Sequence, residues 1–205
     1  MKRKALILVD IQNDFIPGGA LAVEKGDEVV AVANSIMEKF DIVVASQDYH
    51  PKNHLSFASQ HEGKNIGDVI DLKGLPQNLW PDHCIENTKG SEFVKGLDVL
   101  KINEVFQKGM DREIDSYSAF FDNGRKKATG LSTYLGKRMI DEVYVMGLAT
   151  DYCVKFTALD SLHLGFNTKV IKEGIRAVEL EAGDSEKAIK DMENPGIEMV
   201  SIDDL

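Results

Sequence analysis

Ala5 to Val9 form an unbroken apolar run closed by Asp10. A run this short cannot span a bilayer, and one that does not alternate suits a strand covered on both faces. Comparable strand segments are expected at Asp41 to about Ser46, Val99 to about Gln107, Glu142 to Met146, Asn167 to Ile171 and Glu198 to Ile202. Helical periodicity lies between them. Asp27 is placed to cap a helix running to about Phe40, with Val29, Ala33, Ile36, Met37 and Phe40 on one stripe. Further helices are expected at about Leu131 to Ile140, Thr150 to Leu164 and Ser185 to Met192, with Gly165 as a helix stop. Strands alternating with helices predict an α/β domain of three layers, α/β/α, with a mainly parallel, Rossmann-like central sheet. The 205 residues suit one domain, 1–205. Between Gln47 and Asp98 the periodicity gives way to His, Pro, Gly and Asn, and an insert this long, at about 47–98, is expected to serve function.

Charge narrows the partners. A net charge of -10 opposes nucleic-acid and anionic-membrane binding, which need a basic face, and favours a small-molecule partner. The start Met1-Lys2-Arg3-Lys4 imitates a signal peptide, but Asp10 ends the apolar run too early, so the expected location is the cytoplasm. There Cys84 and Cys153 are expected as free thiols. The sequence is compatible with a homo-oligomer as well as a monomer.

In open α/β sheets ligands sit beyond the carboxyl ends of the strands. Asp10 follows the first expected strand, Asp48 and His50 the second, Lys108 the third, and Cys153 lies shortly after the fourth at a helix start. Taken singly, each has an ordinary reading: a loop-capping carboxylate, a surface lysine, an inert small thiol. Together they bring a carboxylate, a metal-ligand pair, an ammonium and a thiol to one edge. A helix N-terminus and a nearby lysine both lower a thiol pKa, which marks Cys153 as a nucleophile. Asp48 and His50, at i and i+2 on an extended segment, point the same way and can share a metal. His54 and His83 are the candidates to complete that site, whereas His61 and His163 have no such support and Cys84 reads as packing. A carboxylate with two imidazoles leaves coordination positions open, as in working zinc or iron sites.

Five stretches carry a family resemblance: Ala5 to Phe15 (ALILVDIQNDF), Asp48 to Phe57 (DYHPKNHLSF), Trp80 to Cys84 (WPDHC), Lys108-Gly109, and Gly147 to Val154 (GLATDYCV). In these the chain resembles the nicotinamidase (pyrazinamidase) branch of the isochorismatase-like cysteine hydrolases, in family order and over nearly the whole sequence. The resemblance implies an isochorismatase-like fold and hydrolysis of nicotinamide to nicotinate and ammonia through a Cys153 thioester, in NAD salvage, with pyrazinamide also deamidated. It implies a triad of Asp10, Lys108 and Cys153, an oxyanion hole of the Ala149 and Cys153 backbone N–H groups, and a cis Leu148-Ala149 peptide. It further implies one divalent metal, zinc with iron or manganese as alternatives, on Asp48, His50 and His83, with His54 a direct or an indirect contributor. The substrate ring is expected between Phe15 and Trp80 with Tyr117 nearby; Tyr152 occupies a position that varies among relatives. Competing readings are another amidohydrolase of the superfamily acting on a ureido or carbamoyl compound, an ether hydrolase, and a non-catalytic binder on the same scaffold.

Overall fold

The computed structural model describes residues 2–205; Met1, which heads the basic start and the expected domain, lies outside them. In chain order the elements are β1 (Lys4–Val9), α1 (Glu28–Ile36), β2 (Ile42–Asp48), β3 (Val69–Leu72), β4 (Leu75–Asn78), β5 (Glu104–Lys108), α2 (Leu131–Lys137), β6 (Glu142–Leu148), α3 (Lys155–His163), β7 (Asn167–Arg176), α4 (Asp184–Glu193) and β8 (Glu198–Val200). Six strands form one sheet in the order β5-β2-β1-β6-β7-β8, and every neighbouring pair is parallel.

The central strand explains the layering. Leu6 and Leu8 pack on one face with Val29, Ala33 and Ile36 of α1, while Ala5, Ile7 and Val9 pack on the other with Leu131 and Leu135 of α2, Ala158 of α3 and Met192 of α4. Alternate side chains thus enter different cores, and a strand needs an unbroken apolar run to fill both. All seven residues of β6 are buried for the same reason.

Several boundaries differ from expectation. Asp27 makes no side-chain cap bond, because its own backbone is already helical at φ -67 and ψ -24. The helix it precedes ends at Ile36 and continues only as a 3-10 turn, Met37–Lys39. The strand expected from Val99 begins at Glu104; Val99–Lys101 is a 3-10 turn with Leu100 94% exposed. As an edge strand β5 has only β2 to pair with, and their register begins at Val44 and Glu104. The expected final strand stops at Val200, where the Ser201 side chain accepts from the Asp203 N–H and starts another turn. Residues Thr150–Val154 form a π-helical turn before α3 proper. Gly165 does end α3, at φ +92. The insert contains an antiparallel hairpin, β3 with β4. Among the described residues no helix is long and apolar enough to cross a membrane.

Candidate active site

Strand order reverses across β1 and β6, and the chemistry collects at that edge. Asp10 leaves β1 at φ 47, in the left-handed region, and is fully buried. Asp48 and Lys108 are the last residues of β2 and β5 and are paired in register. Cys153 lies in the π-helical turn after β6, joined to it through the cis Leu148-Ala149 peptide, as the resemblance implies.

Lys108 Nζ is the hub. It donates to Asp48 Oδ1 at 2.7 Å, to the Ser116 carbonyl at 2.8 Å and to Cys153 Sγ at 3.5 Å, and it lies 2.9 Å from Asp10 Oδ2. The other Asp10 oxygen accepts from Ser46 Oγ at 2.6 Å. An oxygen each of Asp10 and Asp48 and the Cys153 sulfur lie within 4.8 Å of one another. Burial alone would lower the lysine pKa, but the Asp10 and Asp48 carboxylates carry it well above its ordinary range, so it stays an ammonium. Burial raises Asp10, against the pull of Lys108. Burial also pushes the Cys153 thiol well up; Lys108 opposes that, and the Asp10 and Asp48 charges add to it. The expectation of a thiol made acidic by a helix terminus is therefore corrected: at this depth desolvation prevails, and the thiol has to hand its proton to a neighbour.

The second cluster adjoins the first. Asp48, His50 and His83 each present a ligand atom within 4.8 Å of the others, with Asp48 Oδ2 at 3.4 Å from His50 Nε2 and 3.7 Å from His83 Nε2. The Nδ1 atoms of His50 and His83 each sit 2.8 Å from a backbone carbonyl, of Gly109 and Pro81. A carbonyl only accepts, so both rings carry a proton on Nδ1, which leaves Nε2 as the atom that would coordinate a metal, the usual support of a metal-binding imidazole. His50 Nε2 is buried and without a hydrogen-bond partner. Burial would lower the His50 pKa, yet the Asp48 carboxylate lifts it to about 9, so without a metal the ring holds a second proton on Nε2, at the place a cation would take. The donor set and the orphaned nitrogen fit a divalent metal.

His54 differs. Its Nδ1 accepts from the Ser56 backbone N–H at 3.1 Å, which puts the ring proton on Nε2. That nitrogen is buried and unpartnered, and burial takes the His54 pKa down to about 4. His54 is not in the Asp48, His50 and His83 group; it groups instead with His50 and Asp115. His61 and His163 lie outside both clusters, and Cys84 packs in the core beside α1, as expected.

Phe15, Trp80 and Tyr117 line one narrow cavity together with Ala149 and Cys153, and Asp48 and His83 reach the same space. Trp80 Nε1 donates to the Tyr117 hydroxyl at 3.2 Å, and the Phe15 and His83 rings meet edge-on at 5.6 Å. Tyr152, given little weight in the sequence, also lines the cavity, 4.8 Å from the Trp80 ring centroid. A larger open depression bordered by Glu24, Lys172 and Arg176 holds none of the expected site residues.

Sequence reasoning missed the supports. The Gln12 side chain bonds both the N–H and the carbonyl of Asp48 at 2.8 Å. Phe57, fully buried, packs its ring against His50, His54 and His83 with centroids 5.5, 5.7 and 5.5 Å away. Ser46 and Asp115 were likewise passed over. The available signal was polar Gln12 and Ser46 adjoining strand residues that should be apolar.

Residues 4–204 match the isochorismatase domain family. A nicotinamidase of Escherichia coli (strain K12) is 49% identical over 208 residues, covering 100% of this chain and 97% of that one. The solved structure of an Acinetobacter baumanii nicotinamidase/pyrazinamidase superposes with a TM-score of 0.96 at 42% identity, covering 100% of this chain and 98% of that one. Pyrococcus horikoshii pyrazinamidase, solved in complex with zinc, superposes with a TM-score of 0.80 at 33% identity over 98% of this chain and 99% of that one. With its strand order, its buried Asp10, Lys108 and Cys153 and this full-length match, the chain belongs to the isochorismatase family.

Proposed function

We propose that the chain is a nicotinamidase, hydrolysing the carboxamide of nicotinamide to nicotinate and ammonia, and that it deamidates pyrazinamide by the same route. The observation that carries this is the position of Lys108 Nζ, which touches Asp10, Cys153 and Asp48 beside one aromatic-walled cavity.

Asp10 and Cys153 are both pushed up by burial, so the carboxylate is a stronger base than usual just where the thiol most needs one. Asp10 takes the thiol proton as the sulfur attacks the carboxamide carbon, and Lys108 balances the charge on sulfur. The backbone N–H groups of Ala149 and Cys153 take the oxyanion; one such donor contributes about 10²–10³ in rate. Asp10 then gives its proton to the departing nitrogen, ammonia leaves, and a thioester remains. Water enters, Asp10 removes its proton, and collapse releases nicotinate and returns the proton to the thiol. A positioned acid–base group supplies about 10²–10⁴-fold, so the oxyanion donors and substrate positioning provide the rest. Asp48, His50 and His83 would hold the metal, zinc with iron or manganese as alternatives, which when bound offers an open position to the pyridine nitrogen. Phe15 and Trp80 hold the ring and exclude water, with Tyr117 fixed behind Trp80 by their hydrogen bond.

The test is ammonia release from nicotinamide by the purified protein, with Cys153→Ala as control. Release by the wild type alone supports the reading. No release from nicotinamide, with turnover of a ureido or carbamoyl compound instead, replaces it with another amidohydrolase of the family.

A further inference from the structure

Asp115 is a buried carboxylate that lines the same cavity as Cys153. Its oxygens accept from two neutral donors, the Ser116 backbone N–H at 2.7 Å and Gln77 Nε2 at 3.1 Å. The nearby ammonium, Lys108, is committed to Asp10 and Asp48. A buried carboxylate held only by neutral groups is strongly unfavourable unless a positive charge is placed close to it.

The geometry indicates where that charge goes. One oxygen of Asp115 and one ring nitrogen each of His50 and His54 lie within 4.8 Å of one another. His50 Nε2 and His54 Nε2 are both buried without hydrogen-bond partners, and the His54 Nε2 carries the ring proton. Once a metal takes His50 Nε2 in place of its proton, the buried carboxylates Asp10, Asp48 and Asp115 face the single ammonium of Lys108, an excess of two negative charges while Cys153 is a thiol. A divalent cation on Asp48, His50 and His83 cancels that excess; a monovalent one does not.

We propose that Asp115 is a positioning residue of the metal site: it is not one of the ligands, but supplies the second uncompensated negative charge that makes the site tight for a divalent ion. This rests on the metal site of the proposed function. Asp115 acts across the space shared with His50 and His54, and Gln77 and the Ser116 N–H hold it in place.

The experiment is chelator competition for Zn²⁺ on metal-free wild type and Asp115→Asn, with the melting temperature of each metal-free protein as a second readout. Asn keeps the shape and an acceptor for the Ser116 N–H while removing the charge. Outer-shell partners of metal ligands typically contribute 10–100-fold in affinity, so Zn²⁺ should bind about 10–100-fold more weakly to D115N, whose metal-free melting temperature should equal or exceed that of wild type. Unchanged Zn²⁺ affinity overturns the proposal, as does a lowered metal-free melting temperature with affinity intact, the mark of a merely structural role. If D115N does not fold, Asp115→Glu keeps the charge and should bind Zn²⁺ within about 10-fold of wild type; a folded D115E weakened by more than about 100-fold overturns it. Ammonia release from nicotinamide, measured on the same wild-type preparation, separates the two readings: turnover with full affinity in D115N removes only the role of Asp115, and no turnover removes the nicotinamidase reading while the affinities still decide this one.

Discussion

Lys108 Nζ lies 2.7 Å from Asp48 Oδ1, so the lysine beside the thiol is also the counter-ion of a carboxylate facing His50 and His83. One ammonium thereby serves two clusters. Lys108→Met should destabilise the protein by about 3–5 kcal/mol, since it leaves buried carboxylates without their cation. It should also slow alkylation of Cys153, because the group that opposes the upward push on its thiol is gone. Denaturant unfolding and iodoacetamide labelling check the two effects; a variant labelled as fast as wild type would show that Lys108 does not act on the sulfur.

Labelling of Cys153 should be slow at neutral pH and should rise through the alkaline range, since its pKa stands well above the ordinary thiol value and the thiolate is what reacts. Asp10→Asn provides the contrast. The Asp10 charge helps to hold the thiol up, so the variant should label no more slowly than wild type at a given pH, yet lose turnover of nicotinamide by at least about 10²-fold, because proton transfer is removed. Near-normal kcat in that variant would take Asp10 out of the chemistry.

The ring nitrogen should be read as strictly as the amide. A site built to meet a polar atom rejects an analogue that lacks it by as much as about 10⁴-fold, so benzamide should be a poor substrate while pyrazinamide is turned over. His83→Ala should mainly raise KM for nicotinamide, since His83 faces the cavity without touching Lys108 or the sulfur. Steady-state kinetics with and without chelator decide it: benzamide matching nicotinamide, or chelation abolishing kcat without raising KM, would leave the metal a hydrolytic role instead of an anchoring one.

Gly109 has φ +68, and a Cβ there would collide with the His50 ring, whose Nδ1 donates to the Gly109 carbonyl. Gly109→Ala should lose stability by about 1–3 kcal/mol from the left-handed backbone alone. Displacement of His50 should weaken Zn²⁺ binding as well. Chelator competition and thermal melting test the pair, and an alanine variant with full Zn²⁺ affinity would show that the ring has room to move.

What the sequence disclosed followed from burial on two faces. The runs in β1 and β6 are apolar throughout because alternate residues enter different cores, and the positions just beyond them stand out as polar. The β3 and β4 hairpin was hidden: Val69 and Asp71 are exposed, Pro76 sits in the second strand, and the turn between them begins with Lys73 at φ 58 where Asn, Asp or Gly would have signalled it. Val99 and Leu100 misled in the other direction, being apolar residues that the end of a lone edge strand leaves uncovered. In the site, Asp48 and His50 were legible because i and i+2 share a side of an extended chain. Asp115 was not, because it meets the histidines only across the fold, and although Phe57 adjoins His54 in the chain, its packing on His50 and His83 depends on the fold. The thiol's ionisation was misjudged because a helix terminus can be read from local sequence, whereas the depth of burial depends on everything packed above it.

The position of β1 in the sheet also sets an order of events. It pairs on one side with β2, at Ala5 and Ile42, and on the other with β6, at Lys4 and Glu142. A chain growing from its N-terminus therefore has Asp10, Asp48 and Lys108 in hand long before the strand that delivers Cys153 has been synthesised. Until β6 docks, one edge of β1 is open and the carboxylates that will lie buried around Lys108 are still in water. The nucleophile is the last of the four to arrive, and the step that brings it is the one that closes the centre of the sheet.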